Sequence, residues 1–274
     1  MYFGGKMAGI NFTPALRIEY DRLFNTCIIN AGKLTEVGKL CDQLIANRAR
    51  YQNIGNNLGI PWFFIAVIHN MESSQKFSKH LHNGDPLTAR TVQVPAGRPR
   101  TGNPPFTWEE SASDALVMHN LNGNNDWSTA GVLYQLEAYN GWGYRKHHPE
   151  VLSPYLWSFS NHYSSGKYIA DGTWSDTAIS RQCGAAVLLR RMAELGEIDF
   201  TDQPRPVESP TPLVVSYSET KSEDLSTIKQ AEDLQRWLNT FSGVFVLIDG
   251  VPGKKTSDAF KQVTGSFLPD DPRN

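Results

Sequence analysis

Apolar positions recur at helical spacing through most of the first two hundred residues. Leu16, Tyr20, Leu23, Phe24, Cys27 and Ile28 share one stripe, and Val37, Leu40, Cys41, Leu44 and Ile45 share another. Each stripe predicts an amphipathic helix. Between residues 60 and 71 the chain is apolar on every face, with Pro61 suited to a first turn. That pattern predicts a helix sunk in the core. Thr107-Trp108-Glu109-Glu110 has the capping-box form and opens a further helix. Residues 128–139 predict another, ended by Gly141, and a last long one over 175–195 stops at Gly196.

The character changes between residues 83 and 105. Gly84, Pro86, Pro95, Gly97, Pro99, Gly102, Pro104 and Pro105 break any helix, while residues 88–94 alternate and are rich in β-branched side chains. The expectation is a short β-hairpin or loop layer between helices. A mainly helical domain with such a layer is of α+β class. From 199 to 226 the apolar pattern fades and Pro204, Pro206, Pro210 and Pro212 cluster, as in a stiff, extended linker. Beyond it, residues 228–238 predict an amphipathic helix, 244–248 a strand-like run and 257–263 a short helix. The expected organisation is a larger domain over 1–198, a linker over 199–226 and a small helical unit over 227–274.

Composition narrows the function classes. With 40% hydrophobic and 20% charged residues among 274, the chain can bury a core without metal or disulfide staples. A net charge of −2 and a pI near 6.4 come with no basic stripe, which argues against a nucleic-acid partner. The most apolar run, residues 60–68, is about half of a membrane-spanning helix, so no integral membrane segment is expected. Residues 1–11 lack a charged segment followed by an apolar one. They predict synthesis in the cytoplasm without a secretory leader. Cys27, Cys41 and Cys183 form no Cys-x-x-Cys pair; Cys183 predicts a buried thiol, and a Cys27–Cys41 bridge stays open. The seven histidines offer no His-Glu-x-x-His, and there is no Gly-x-Ser-x-Gly. No metal or organic cofactor is expected.

Glu72 is the unusual residue. It follows Trp62-Phe63-Phe64-Ile65-Ala66-Val67-Ile68 at the end of the apolar helix. Desolvation and the negative end of the helix dipole both disfavour its charged form and raise its pKa, as a proton-donating carboxylic acid requires. Taken alone, such a residue suits a solvent-facing helix end, or a pair with Lys76, at least as well. Asp85 stands thirteen residues on in the turn His82-Asn83-Gly84-Asp85-Pro86, and Thr91 six residues after that. An acid on a helix end facing a carboxylate and a hydroxyl is a workable inverting glycosidase, in which Asp and Thr hold the attacking water.

Ile65-Ala66-Val67-Ile68-His69-Asn70-Met71-Glu72-Ser73-Ser74 resembles the catalytic helix of goose-type lysozymes and soluble lytic transglycosylases. Glu137-Ala138-Tyr139-Asn140-Gly141-Trp142-Gly143 is similar to that superfamily's Ala-Tyr-Asn-Ala-Gly motif, and Asn161-His162-Tyr163 to its late Asn-Tyr element. The three motifs stand in the family's order over residues 60–163. Gly141-Trp142-Gly143 departs from the usual Ala-Gly-x-Gly. The spacing of Asp85 to Thr91 instead resembles phage-type lysozymes. Asp233-Leu234-Gln235, Asp249-Gly250, Gly253 and Thr256-Ser257-Asp258-Ala259 resemble a three-helix peptidoglycan-binding domain.

The resemblance implies a lysozyme-like muramidase that cuts the β-1,4 bond of peptidoglycan glycan strands. Glu72 would be its acid, Asp85 its base and Thr91 the residue orienting water. Ser73, His82, Tyr139, Asn140 and Tyr163 would bind the glycan. A lytic transglycosylase giving 1,6-anhydro ends, and a non-catalytic wall-binding baseplate component, remain open beside it. A chain without a leader fits a phage endolysin, or a lysozyme carried on a phage tail or injection machine.

Overall fold

The computed structural model describes residues 9–123, 125–170, 172–200 and 215–274. Residues 1–8 and most of the expected linker, 201–214, lie outside the described residues. The chain runs through α1 (Pro14–Asn25), α2 (Leu34–Ala46), α3 (Arg48–Leu58), α4 (Trp62–Ser73), α5 (Trp108–Met118), α6 (Thr129–Asn140) and the short α7 (Gly143–His147) and α8 (Pro154–Trp157). Strands β1 (Lys167–Ala170) and β2 (Thr173–Ser175) follow, then α9 (Ala185–Glu194), α10 (Leu225–Leu238) and α11 (Lys254–Thr264). A mostly helical chain with one small antiparallel sheet is the expected α+β class.

Helix α4 is the axis of the larger core. Phe64, Ile65, Ala66, Val67 and Ile68 have no exposed surface, because α2, α3, α6 and α9 all pack against it. Each large apolar side chain enclosed this way contributes about 1.5–3 kcal/mol. Pro61 stands just before the helix, where its missing N–H costs nothing. Ser74 ends it in the left-handed conformation, its N–H returning to the Asn70 and His69 carbonyls. Thr107 and Glu110 form the expected capping box on α5, and the Ser128 hydroxyl accepts from the Gly131 N–H at the start of α6.

The chain between 83 and 105 does not form the expected hairpin. The N–H groups of Val92 and Gln93 both donate to the Asp85 carboxylate, and the prolines have none to give. This carboxylate and isolated backbone bonds, such as the Thr91 N–H to the Arg98 carbonyl at 2.9 Å and the Gly97 N–H to the Thr91 carbonyl at 2.7 Å, take the place of a strand ladder. The hairpin instead forms from β1 and β2, with Lys167 opposite Ser175 and Tyr168 opposite Trp174. Nor does the last long helix begin at 175: α9 starts at Ala185, after Gly184. Gly184 explains why. A Cβ there would stand 2.3 Å from the Leu156 carbonyl oxygen, so this glycine is where the chain crosses α8. Gly184→Ala must push α8 away, and we expect a loss of about 2–4 kcal/mol by urea denaturation.

A second, smaller core gathers Val215, Ala231, Leu234, Leu238, Phe241, Val244, Val246, Phe260, Val263 and Leu268. Two helices, not three, build it among the described residues. Residues 244–248 form no strand. Instead the Asn239 amide brackets Val246, donating to its carbonyl at 2.9 Å and accepting from its N–H at 2.8 Å. One side chain thus replaces a strand partner. Phe245 leaves this unit and packs edge-on against Phe24 and Phe200 of the larger core. Beside it, buried Arg190 of α9 donates to the Val246 carbonyl at 3.2 Å, and the Lys255 ammonium donates to the Glu194 carbonyl at 3.0 Å. Cys27, Cys41 and Cys183 are buried and free, so the open Cys27–Cys41 pairing is not made.

Candidate active site

Glu72 occupies the last turn of α4, half-buried, with its backbone carbonyl against the turn that carries Asp85. A Cβ on Gly84 would lie 2.9 Å from the Glu72 carbonyl oxygen, and Gly84 has φ +78. Only glycine meets both demands. The turn is closed by the His80 N–H donating to the Asp85 carbonyl at 2.7 Å and the Gly84 N–H to the His80 carbonyl at 3.0 Å. The Tyr155 hydroxyl, delivered by α8, donates to Glu72 Oε1 at 3.1 Å. Burial pushes the Glu72 carboxyl up to about 7, with the Tyr155 hydrogen bond working against the rise.

Asp85 is held in the opposite state. Burial works to raise its pKa, but donors outweigh it: the N–H groups of Val92 and Gln93 at 2.9 and 3.1 Å and the Asn83 amide at 3.1 Å. The carboxyl therefore titrates below the ordinary range. All three donors meet Oδ2, which leaves Oδ1 to face other groups. Burial thus favours the neutral form of Glu72, while the donors on Oδ2 favour the charged form of Asp85. That division of states is what acid–base cleavage of a glycoside needs.

The other expected residues support this pair structurally. The Thr91 hydroxyl donates to the Pro95 carbonyl and accepts from the Arg98 N–H at 3.0 Å, stapling its own loop. Its proton is spent, and one lone pair remains for a water. Ser73 is buried and donates to the His69 carbonyl at 3.1 Å. The Tyr139 hydroxyl donates to the Leu81 carbonyl at 3.2 Å while its ring stacks on His119. Asn140 is half-buried at the end of α6. The Tyr163 hydroxyl donates to the Gly166 carbonyl at 3.1 Å and accepts from the Ser180 N–H at 3.2 Å. It fastens the chain beside the hairpin and does not reach Glu72.

His82 is enclosed, its Nε2 2.8 Å from Asp114, which Arg98 approaches from the other side. Burial holds the imidazole below its ordinary pKa, so at neutral pH Nε2–H donates to Asp114. His80 Nε2 donates to the Ala89 carbonyl at 2.8 Å, so its Nδ1 accepts from the Ser111 hydroxyl, also at 2.8 Å. Ser111, His82 and Asp114 have the order of a nucleophilic triad, but Ser111 has no exposed surface and its proton goes to His80. This network braces the Asp85–Arg98 loop on α5 and performs no acyl chemistry.

Two site residues escaped the sequence reading. Tyr155 was one aromatic among several, and only its place on α8 brings its hydroxyl to Glu72. Gln182, expected inside a helix, lies at a bend before α9 and donates from Nε2 to the Met71 carbonyl at 2.8 Å. No local pattern marks either residue. Among the described residues no three His, Cys, Asp or Glu side chains gather as a metal site. No helix of those residues is long and apolar enough to cross a membrane. No family model, curated protein or solved structure matches this chain.

Proposed function

We propose that this chain is a peptidoglycan muramidase that cleaves the β-1,4 bond between N-acetylmuramic acid and N-acetylglucosamine, with Glu72 as general acid. What supports the reading is geometric: Glu72 ends a buried helix, with the Tyr155 hydroxyl on its carboxyl at 3.1 Å and burial raising its pKa. The motifs at 65–74, 137–143 and 161–163, which resemble those of lysozyme-like enzymes, supply the substrate class. Glu72 protonates the glycosidic oxygen as the bond to the anomeric carbon breaks, and the leaving sugar departs as an alcohol. Asp85 accepts a proton from the water that attacks the anomeric carbon. Tyr155 donates to the Glu72 carboxylate left behind, which limits the cost of the charge.

A second reading draws on Thr91. With its hydroxyl proton committed to Pro95, Thr91 can only accept from a water, and taking a proton from that water rests on Asp85. A lytic transglycosylase needs no water, because the muramyl C6 hydroxyl attacks instead and Glu72 takes its proton. Mass spectrometry of digested cell-wall glycan separates the two. Reducing muramic acid ends are expected, 1,6-anhydro ends would favour the second reading, and intact strands would remove both.

The acid limb of the mechanism has a signature. Loss of the Tyr155 hydroxyl removes the interaction that lowers the Glu72 pKa. Tyr155→Phe is therefore expected to move the alkaline limb of kcat/KM, near pH 7 in the parent, upward by roughly 0.5–1 pH unit. A limb that stays or moves down would detach Tyr155 from Glu72.

A further inference from the structure

The turn that carries Asp85 is organised around one side-chain amide. Asn83 Oδ1 accepts from the Asp85 N–H at 3.0 Å, while Nδ2 donates to Asp85 Oδ2 and to the Gln93 carbonyl, both at 3.1 Å. A backbone N–H only donates, and a carbonyl or carboxylate only accepts, so these three partners fix which way the amide faces. Asn83 thus joins the turn to the loop at Gln93, ten residues on. With the N–H groups of Val92 and Gln93 on the same oxygen, Asp85 Oδ2 receives donors from three residues, and Oδ1 receives none of them. The turn itself is set against the end of α4, where a Cβ on Gly84 would stand 2.9 Å from the Glu72 carbonyl oxygen.

We infer that Asn83 is a positioning residue for the proposed glycan cleavage: its amide holds the Asp85 carboxylate by Oδ2, so that Oδ1 is the oxygen left to the attacking water. This rests on that proposed reaction and adds how its base is held. In the step, the water O–H bond breaks, its proton passes to Oδ1 and its oxygen bonds the anomeric carbon, while Glu72 protonates the leaving oxygen. A carboxylate pinned by one oxygen cannot rotate to offer the other, so the base keeps one geometry through the reaction. Asparagine is the residue type this needs. Aspartate at the same place would keep the acceptor for the Asp85 N–H, but it would set a second anionic oxygen against Oδ2 and the Gln93 carbonyl.

Of the donors on Oδ2, Asn83 is the one supplied by a side chain, and so the one a substitution removes. Carboxyl carbon-13 titration, with Asp85 assigned from Asp85→Asn, reads the contact directly. The pH profile of kcat/KM on cell-wall glycan reads its use. Asn83→Asp, which keeps the size and the turn's acceptor, is expected to raise the Asp85 titration by about 1 pH unit, and Asn83→Ala by about half as much. The acid limb of kcat/KM should rise with it while the alkaline limb stays. A loss of packing alone would lower the whole profile without moving one limb. His80, whose charge also acts on Asp85, is the same in parent and variants. An Asp85 titration unmoved in both variants would overturn the assignment. An Asp85 that shifts under a fixed acid limb would remove the positioning role. No wall lysis by the parent would remove the proposed function, and the role of Asn83 with it, whatever Asp85 does in the titration.

Discussion

Glu72→Gln is expected to lower kcat on cell-wall glycan by roughly 10²–10⁴-fold, the share of catalysis that a positioned general acid supplies. Glutamine keeps the size and the hydrogen bond to Tyr155 but holds no transferable proton. The same substitution should stabilise the protein, with a defined pH dependence. The folded carboxyl titrates at about 7 and the unfolded one at 4.5, so the folded state holds the extra proton between those values. Below pH 4.5 Glu72 is neutral in both states and costs nothing. Between pH 4.5 and 7 unfolding releases that proton, so stability falls across this window and levels off above 7, where the folded state carries the desolvated charge. The variant should match the parent in thermal melts at pH 4. At pH 8 it should exceed the parent by about 1–2 kcal/mol, once screening at a half-buried group is allowed for. Wall lysis equal to the parent's would exclude Glu72 as the acid.

The second large effect lies far from the chemistry. Arg190 is buried, with Nε on Glu194 at 3.0 Å, Nη1 on the Phe24 and Asn25 carbonyls at 3.1 and 3.3 Å, and Nη2 on the Val246 carbonyl at 3.2 Å. It therefore caps α1, pairs within α9 and holds the smaller unit with one guanidinium. Arg190→Met keeps the volume but leaves Glu194 buried with only the longer contact to Arg191 at 3.4 Å. An expected loss of about 3–5 kcal/mol follows, read from chemical denaturation. Adding Glu194→Leu removes the stranded charge and should restore most of the loss. If the double variant is as unstable as the single, the carbonyl contacts rather than the ion pair dominate.

Helix α4 was legible because twelve successive positions carry the signal, and an all-round apolar face has one physical outcome. The cap at Thr107 was legible for a related reason: its bonds close within three residues. Residues 88–94 misled because alternation reports side-chain chemistry, while the backbone donors there were claimed by Asp85, a residue outside the run. The hairpin that does form is short and partly exposed, with only Tyr168 and Trp174 pairing across it as rings, too little for a periodic signal. The family resemblance rather than local pattern singled out Glu72 and Asp85, while the buried setting of the one and the turn at the other were legible locally. Tyr155 and Gln182 were not, because their roles depend on a chain crossing at Gly184 more than a hundred residues from Glu72. The Tyr163 hydroxyl, which the family motif favoured, bonds the Gly166 carbonyl and the Ser180 N–H.

The three cysteines bear on where such a fold can operate. Burial pushes the Cys27 and Cys41 thiols up to about 12 and Cys183 higher still. At neutral pH roughly one in 10⁵ of the first two is a thiolate, the only form that attacks disulfides or is readily oxidised. No covalent staple is lost in a reducing compartment, and none is gained in an oxidising one. The geometry around Glu72 therefore depends on no disulfide that a reducing environment could break.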